Sequence, residues 1–242
     1  MRQALRTIEI MSEFGQTRRL EDRLIDDAAA AGQSAQQQRR LTLEKELRRP
    51  DLKDSERLDA QLELSRVLLD LGESETAFAM AREVLDAGIQ AERYEEAASA
   101  CQVMCLSEQP ESTSALGHGL WLALACPMDS DLTWQLFRHL VEETPAHSDG
   151  AAVAAMLAYF LMDKRATGAE RDRLIFLARQ QVAEVAERHR GITDEEAIGI
   201  WVQMHDLDDV DLLLERMARI LDTITPDWWF DREAVRARFS PD

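Results

Sequence analysis

Apolar side chains recur along this chain at separations of three and four residues, the spacing that gathers them on one face of an α-helix. Leu58, Leu62, Leu68 and Leu69, with Leu64 beside them, form one such stripe, and it stops at Leu71-Gly72. Glycine is favoured just past a helix end, so the pair reads as a C-terminus. A second helix is predicted from Glu73 to Ala87, carrying Ala77, Phe78, Ala81, Val84 and Leu85 and ending at Gly88. A third runs from Ala91 to Leu106 with Tyr94, Ala97, Ala98, Cys101 and Cys105 on its inner side. Pro110 suits the first position of the next. Asp129 opens another, carrying Leu132, Leu136, Phe137 and Leu140 as far as Thr144-Pro145. Ser148 or Asp149 caps the Ala-rich helix after it. Thr167 with Glu170, and Thr193 with Glu196, have capping-box spacing. Thr225-Pro226 is predicted to start the last helix. About ten helices joined by short turns, and no strand, is the expectation.

The first 53 residues read differently. Leu20, Leu24 and Ala28 lie on one helical stripe within residues 1–31, and Ala31-Gly32-Gln33-Ser34-Ala35-Gln36-Gln37-Gln38 resembles a linker. Three regions are expected: an N-terminal helical segment at 1–53, able to act as an arm; paired helices at 54–163; and a helical extension or cap at 164–242.

Composition agrees with an all-helical chain. In 242 residues there are only 10 Gly and 6 Pro, and 45% hydrophobic content is enough for a real core. Twenty-eight Lys+Arg stand against 46 Asp+Glu, a net charge of −18, which argues against a nucleic-acid partner. That charge is unevenly spread: residues 1–53 hold 11 basic and 9 acidic groups, and the remaining residues hold 17 and 37. The imbalance suggests that the first segment folds onto the acidic body or joins two protomers as a homodimer. The most apolar stretches, 115–126 and 151–162, are about 12 residues long where roughly 20 are needed to span a bilayer, so no membrane insertion is expected. Three clustered cysteines and the absence of a secretory signal point to a cytoplasmic, reducing setting.

The segment Leu58 to Ile89 carries Leu64-Ser65, Leu68, Leu71-Gly72, Ala77, Ala81 and Val84. This resembles the tetratricopeptide repeat, a helix pair of 34 residues. Steps of 34 from Ser65 reach Ser99 and Thr133, each preceded by an apolar residue, whereas Glu111 and Pro145 replace the second-helix alanine. Tyr94-Glu95-Glu96-Ala97, with Gln102, Cys105, Pro110 and Gly119-Leu120, is similar to the tetratricopeptide chaperones of type III secretion translocators. The resemblance implies a right-handed array of antiparallel helix pairs, an all-α solenoid. It also implies a scaffold, adaptor or chaperone-like role in which the first helix of each pair lines a groove for a partner protein or peptide. The groove positions it implies are Asp59, Leu62, Arg66 and Leu69, then Arg93, Glu96, Ala100 and Val103.

Other chemistry is sparse. Cys101 and Cys105 share a helix face, and only Cys126 and His118 could complete a metal set, so buried hydrophobic cysteines are the preferred reading. The alternative is a helical enzyme or metal protein built around Cys101, Cys105 and His118. No catalytic fingerprint is present, and no enzyme activity, cofactor or metal is expected. Asp208 or Asp209 reads as a helix cap rather than a calcium ligand. Trp228-Trp229-Phe230 either closes the end of the array or, through Trp228 and Trp229, anchors a partner.

Overall fold

Polar though it is, the Gln-rich stretch expected to be a linker is helical. The computed structural model describes residues 30–239, and in it residues 30–47 form α1. Ala, Gln, Arg and Glu lose little on entering a helix, and polarity alone does not make a linker of them. The helix is fastened to the body. Gln36 donates to Asp70 at 2.8 Å, Arg39 to Glu63 at 2.7 Å and Arg40 to Glu73, while Leu43 sits in the core. The Leu20, Leu24 and Ala28 stripe lies outside the described residues.

Ten helices follow: α2 (Asp54–Asp70), α3 (Ser74–Gln90), α4 (Tyr94–Leu106), α5 (Ser112–Ala125), α6 (Ser130–Glu143), α7 (Asp149–Arg165), α8 (Gly168–Arg190), α9 (Glu195–Met204), α10 (Val210–Ile224) and α11 (Arg232–Ala237). There is no strand among the described residues. No helix in them is long and apolar enough to cross a membrane. The starts of several helices follow side-chain chemistry. Asp129, Ser148, Asp194 and Asp209 each accept a backbone N–H of the first turn. Asp194 does the work expected of Thr193, and Thr167 makes no side-chain cap. Pro226 lies in a loop, and Asp231 caps α11 instead.

Helix ends follow a rule too. One residue past the caps of α2, α3, α4 and α9 stand Gly72, Glu92, Glu108 and Asp206, all left-handed, with φ of 79°, 58°, 52° and 50°. Such a residue reverses the chain and lets the next two N–H groups close onto the last turn. Gly88 is not one of these terminators: α3 runs through it to Gln90. A Cβ on Gly88 would sit 3.1 Å from the Arg93 carbonyl and 3.2 Å from Ala97 Cβ, so the glycine serves the close crossing of α3 and α4.

Each helix from α2 to α8 packs on the next, and α2 also meets α4, as α6 meets α8. This is a layered helical array, compatible with a helical-repeat fold. Several side-chain bridges between helices fall at similar sequence separations, though Arg39 and Glu63 are 24 apart. They join Gln36 to Asp70, Asp59 to Arg93 and Glu95 to the Asp129 N–H at 34 residues' separation, and Gln102 to Gln135 at 33. Beyond α6 the separation grows. Asp131 meets Arg173 and Ala123 meets Arg165 at 42, and Val141 meets Arg188 at 47.

The array does not stay open at its C-terminal end. α10 turns back and packs on α5 and α7. One glycine on α5 permits the fit: a Cβ on Gly117 would lie 1.9 Å from Thr225 Oγ1, whereas Gly119 serves the contact of α5 with α4, where a Cβ would lie 2.9 Å from Cys101 Cβ. The tail continues back as far as α4, where Arg238 pairs with Glu92 at 2.7 Å and Phe239 meets Tyr94 edge-on at 5.5 Å.

Candidate functional site

The groove positions implied by the repeat resemblance separate in the structure. Leu62 and Val103 are buried, at 6% and 3% exposure, as is Ala100, and Leu69 is half-buried. Leu62 and Val103 therefore belong to the core rather than to a binding face: with the helices packed this closely, both sides of α2 and α4 are covered. Asp59, Arg93 and Glu96 are tied together. Arg93 donates to Asp59 at 2.7 Å, to Glu96, and to the Ser55 carbonyl at 3.0 Å. Arg66 is exposed, with no ion pair among the described residues. At this end of the face Asp59, Arg93 and Glu96 are therefore tied to one another.

Trp228 and Trp229 are half-buried and held inside the molecule. Their anchor is His118, itself 0% exposed on α5. The Trp229 backbone N–H donates to His118 Nε2 at 2.9 Å, so Nδ1 carries the proton and donates to the Ser114 carbonyl at 2.7 Å. The imidazole stacks on the Trp229 ring at 4.1 Å between centroids, with Trp228 and Phe230 edge-on at 5.1 Å and 5.5 Å. Arg82 covers the far ring at 3.9 Å and Arg232 covers Trp228 at 4.0 Å. Burial pushes the His118 pKa down to about 4, and the nearby Arg82 and Arg232 add to the shift. The aromatic triplet is a clasp holding the tail to α5, not a free anchor.

His118 therefore has no nitrogen left for a metal. Cys101, Cys105 and Cys126 are buried free thiols. Desolvation raises all three, Cys105 to about 12 and Cys126 to about 11, so they stay protonated and weakly nucleophilic at neutral pH. Among the described residues no group of three or more His, Cys, Asp or Glu is placed to hold a metal ion.

A recess lies elsewhere, where the α4–α5 and α6–α7 turns approach α10. It is a cleft of about 700 Å³, within the size range of ligand pockets. Leu116, Leu140, Ile220 and Ile224 line it from three helices, and Leu106 of α4 stands beside them 47% exposed. Polar groups ring this apolar surface: Glu108, Gln109, Ser112, Thr113, His139, Glu143, Thr144 and Ser148.

The turn that shapes one wall is unlike its predecessors. At the ends of α2 and α3 the chain closes directly, with Glu73 N–H donating to the Leu68 carbonyl and Arg93 N–H to Gly88, at 2.9 Å and 2.8 Å. At the end of α4 a hydroxyl is inserted into that bond. Gln109 N–H donates to Ser112 Oγ at 2.8 Å, and Ser112 Oγ donates to the Met104 carbonyl at 2.6 Å. The relay widens the turn by one oxygen and directs Glu108 and Gln109 to the cleft. Neither Glu108 nor Ser112 belongs to a recognisable motif. The one sequence signal was a helix-terminating position filled by something other than glycine.

Compared with known protein families, curated proteins and solved structures, the chain matches none.

Proposed function

We propose that this protein binds another polypeptide, as a non-catalytic adaptor or chaperone-like scaffold built on a tetratricopeptide-like array in the cytoplasm. The 33- to 34-residue recurrence of bridges from α1 to α6 supports the repeat reading. The observation that carries the functional reading is the cleft. It combines an apolar floor, a half-exposed leucine and a polar rim, the composition that recognition of a short peptide segment uses. Its position differs from the groove implied by the repeat resemblance, where Asp59, Arg93 and Glu96 are tied to one another. The test is a screen of an overlapping peptide library against the isotopically labelled protein, with amide shifts mapped on the sequence. Binders should perturb residues 105–116, 139–150 and 220–224 together. A library that perturbs none of them would remove the proposal.

A further inference from the structure

We infer that the cleft between α4, α6 and α10 takes a cationic amphipathic segment of its partner, with a Lys or Arg held between Glu108 and Glu143. This rests on the polypeptide-binding reading above. Glu108 and Glu143 are the only Asp, Glu, Lys or Arg side chains lining the cleft, and neither has an ion pair among the described residues. Glu143 is near enough to the cleft wall to raise the Cys105 thiol further, so its carboxylate bears on the interior of the recess. Apolar partner side chains would bury against the exposed Leu106 and the half-buried Ile220 and Ile224, and the two carboxylates without ion pairs supply the charge preference.

Glu108 gives the second reason. It holds a left-handed conformation that glycine adopts freely and other residues adopt at a cost. The equivalent residue after α2 is Gly72, which is unstrained. The equivalent after α3 is Glu92, whose side chain is engaged by Arg238 at 2.7 Å. Glu108 and Asp206, the equivalent residue after α9, have no ion pair among the described residues, and of the two it is Glu108 that lines the cleft. A strained side chain without an internal partner suits an external one.

The experiment is fluorescence anisotropy with two labelled peptides of about 14 residues, an amphipathic Leu/Lys helix former and its Leu/Glu counterpart. Both are titrated at about 50 mM and about 300 mM NaCl, so that screening separates charge from apolar contact. The Leu/Lys peptide is expected to bind at least about tenfold more tightly than the Leu/Glu peptide, with the advantage shrinking in high salt. Glu108→Gln with Glu143→Gln should remove most of that advantage. The exposed pair Glu75→Gln with Glu83→Gln on α3, an equal charge change, should leave it unaltered. Glu108→Gly should weaken Leu/Lys binding while raising the melting temperature, which separates loss of the site from loss of the fold.

Equal losses in the α3 and cleft variants would mean diffuse attraction and would overturn the proposal. Tight Leu/Glu binding that Leu106→Asp abolishes would also overturn it, while leaving the polypeptide-binding reading standing. If neither peptide binds and Leu106→Asp instead lowers the protein's sedimentation mass, the occupant is a second copy of the chain and the proposal fails.

Discussion

Protonating His118 should unlock the tail, and the cost can be worked from its surroundings. The ring is fully buried, neutral, and accepts the Trp229 N–H at Nε2. A proton there would remove that acceptor and place a cation between Arg82 and Arg232 without water. The folded pKa of about 4 lies below the unfolded value near 6.5, so between these values the unfolded chain binds the proton and the folded chain does not. Stability from this group is therefore complete above about pH 6.5, falls as pH drops, and levels off near pH 4. Linkage gives a loss of about 1.5 kcal/mol at pH 5.5 and about 2.5 kcal/mol at pH 4.5.

The assay is urea unfolding followed by tryptophan fluorescence and circular dichroism at each pH, for wild type and His118→Gln. Carboxylates and the buried His189 titrate in both proteins, so the quantity of interest is the difference between their pH profiles. Wild type should lose about 2.5 kcal/mol more than the variant between pH 7 and pH 4.5. An NMR titration of the imidazole should place its pKa below 5. Parallel pH profiles, or an imidazole titrating near 6.5, would refute the reasoning.

Gly117→Ala should destabilise by about 1–3 kcal/mol, because the new methyl would occupy the space of Thr225 Oγ1. That hydroxyl is buried without a hydrogen-bond partner among the described residues, so Thr225→Ala alone should cost little and the double variant should recover most of the loss, as a thermal-unfolding cycle would show. Glu108→Gly should gain about 1 kcal/mol by relieving a left-handed non-glycine residue, read from urea midpoints. Glu92→Gly should gain less, since it also breaks the exposed pair with Arg238.

The sequence pattern disclosed the helices whose apolar stripes are strong and whose caps are Asp or Ser, such as α6 behind Asp129 and α7 behind Ser148. It disclosed the fold class for the same reason. It missed α1, where helix-compatible polar residues carry no stripe, and it misread Gly88, because a glycine needed for a helix crossing looks like one that ends a helix. The return of α10 onto α5 rests on the fit of Gly117 to Thr225, more than a hundred residues away, and no local pattern reports such a fit. The cleft was hidden likewise. Its walls come from five helices, and its least ordinary part, the hydroxyl relay at Ser112, is a departure from a turn rather than a motif.

A plain stack of helix pairs touches only its neighbours, so its ends fray and its units open one by one. The tail from Thr225 to Phe239 removes that freedom here. By joining α5, α3 and the start of α4 through His118, Arg82, Glu92 and Tyr94, it makes contacts that span most of the described chain. Folding of the middle helices must then wait for the last residues to arrive, which slows it and couples the units into one cooperative transition. Cleavage after α10 would return the molecule to piecemeal opening, with hydrogen exchange in α3 and α5 passing from a single global event to separate local ones.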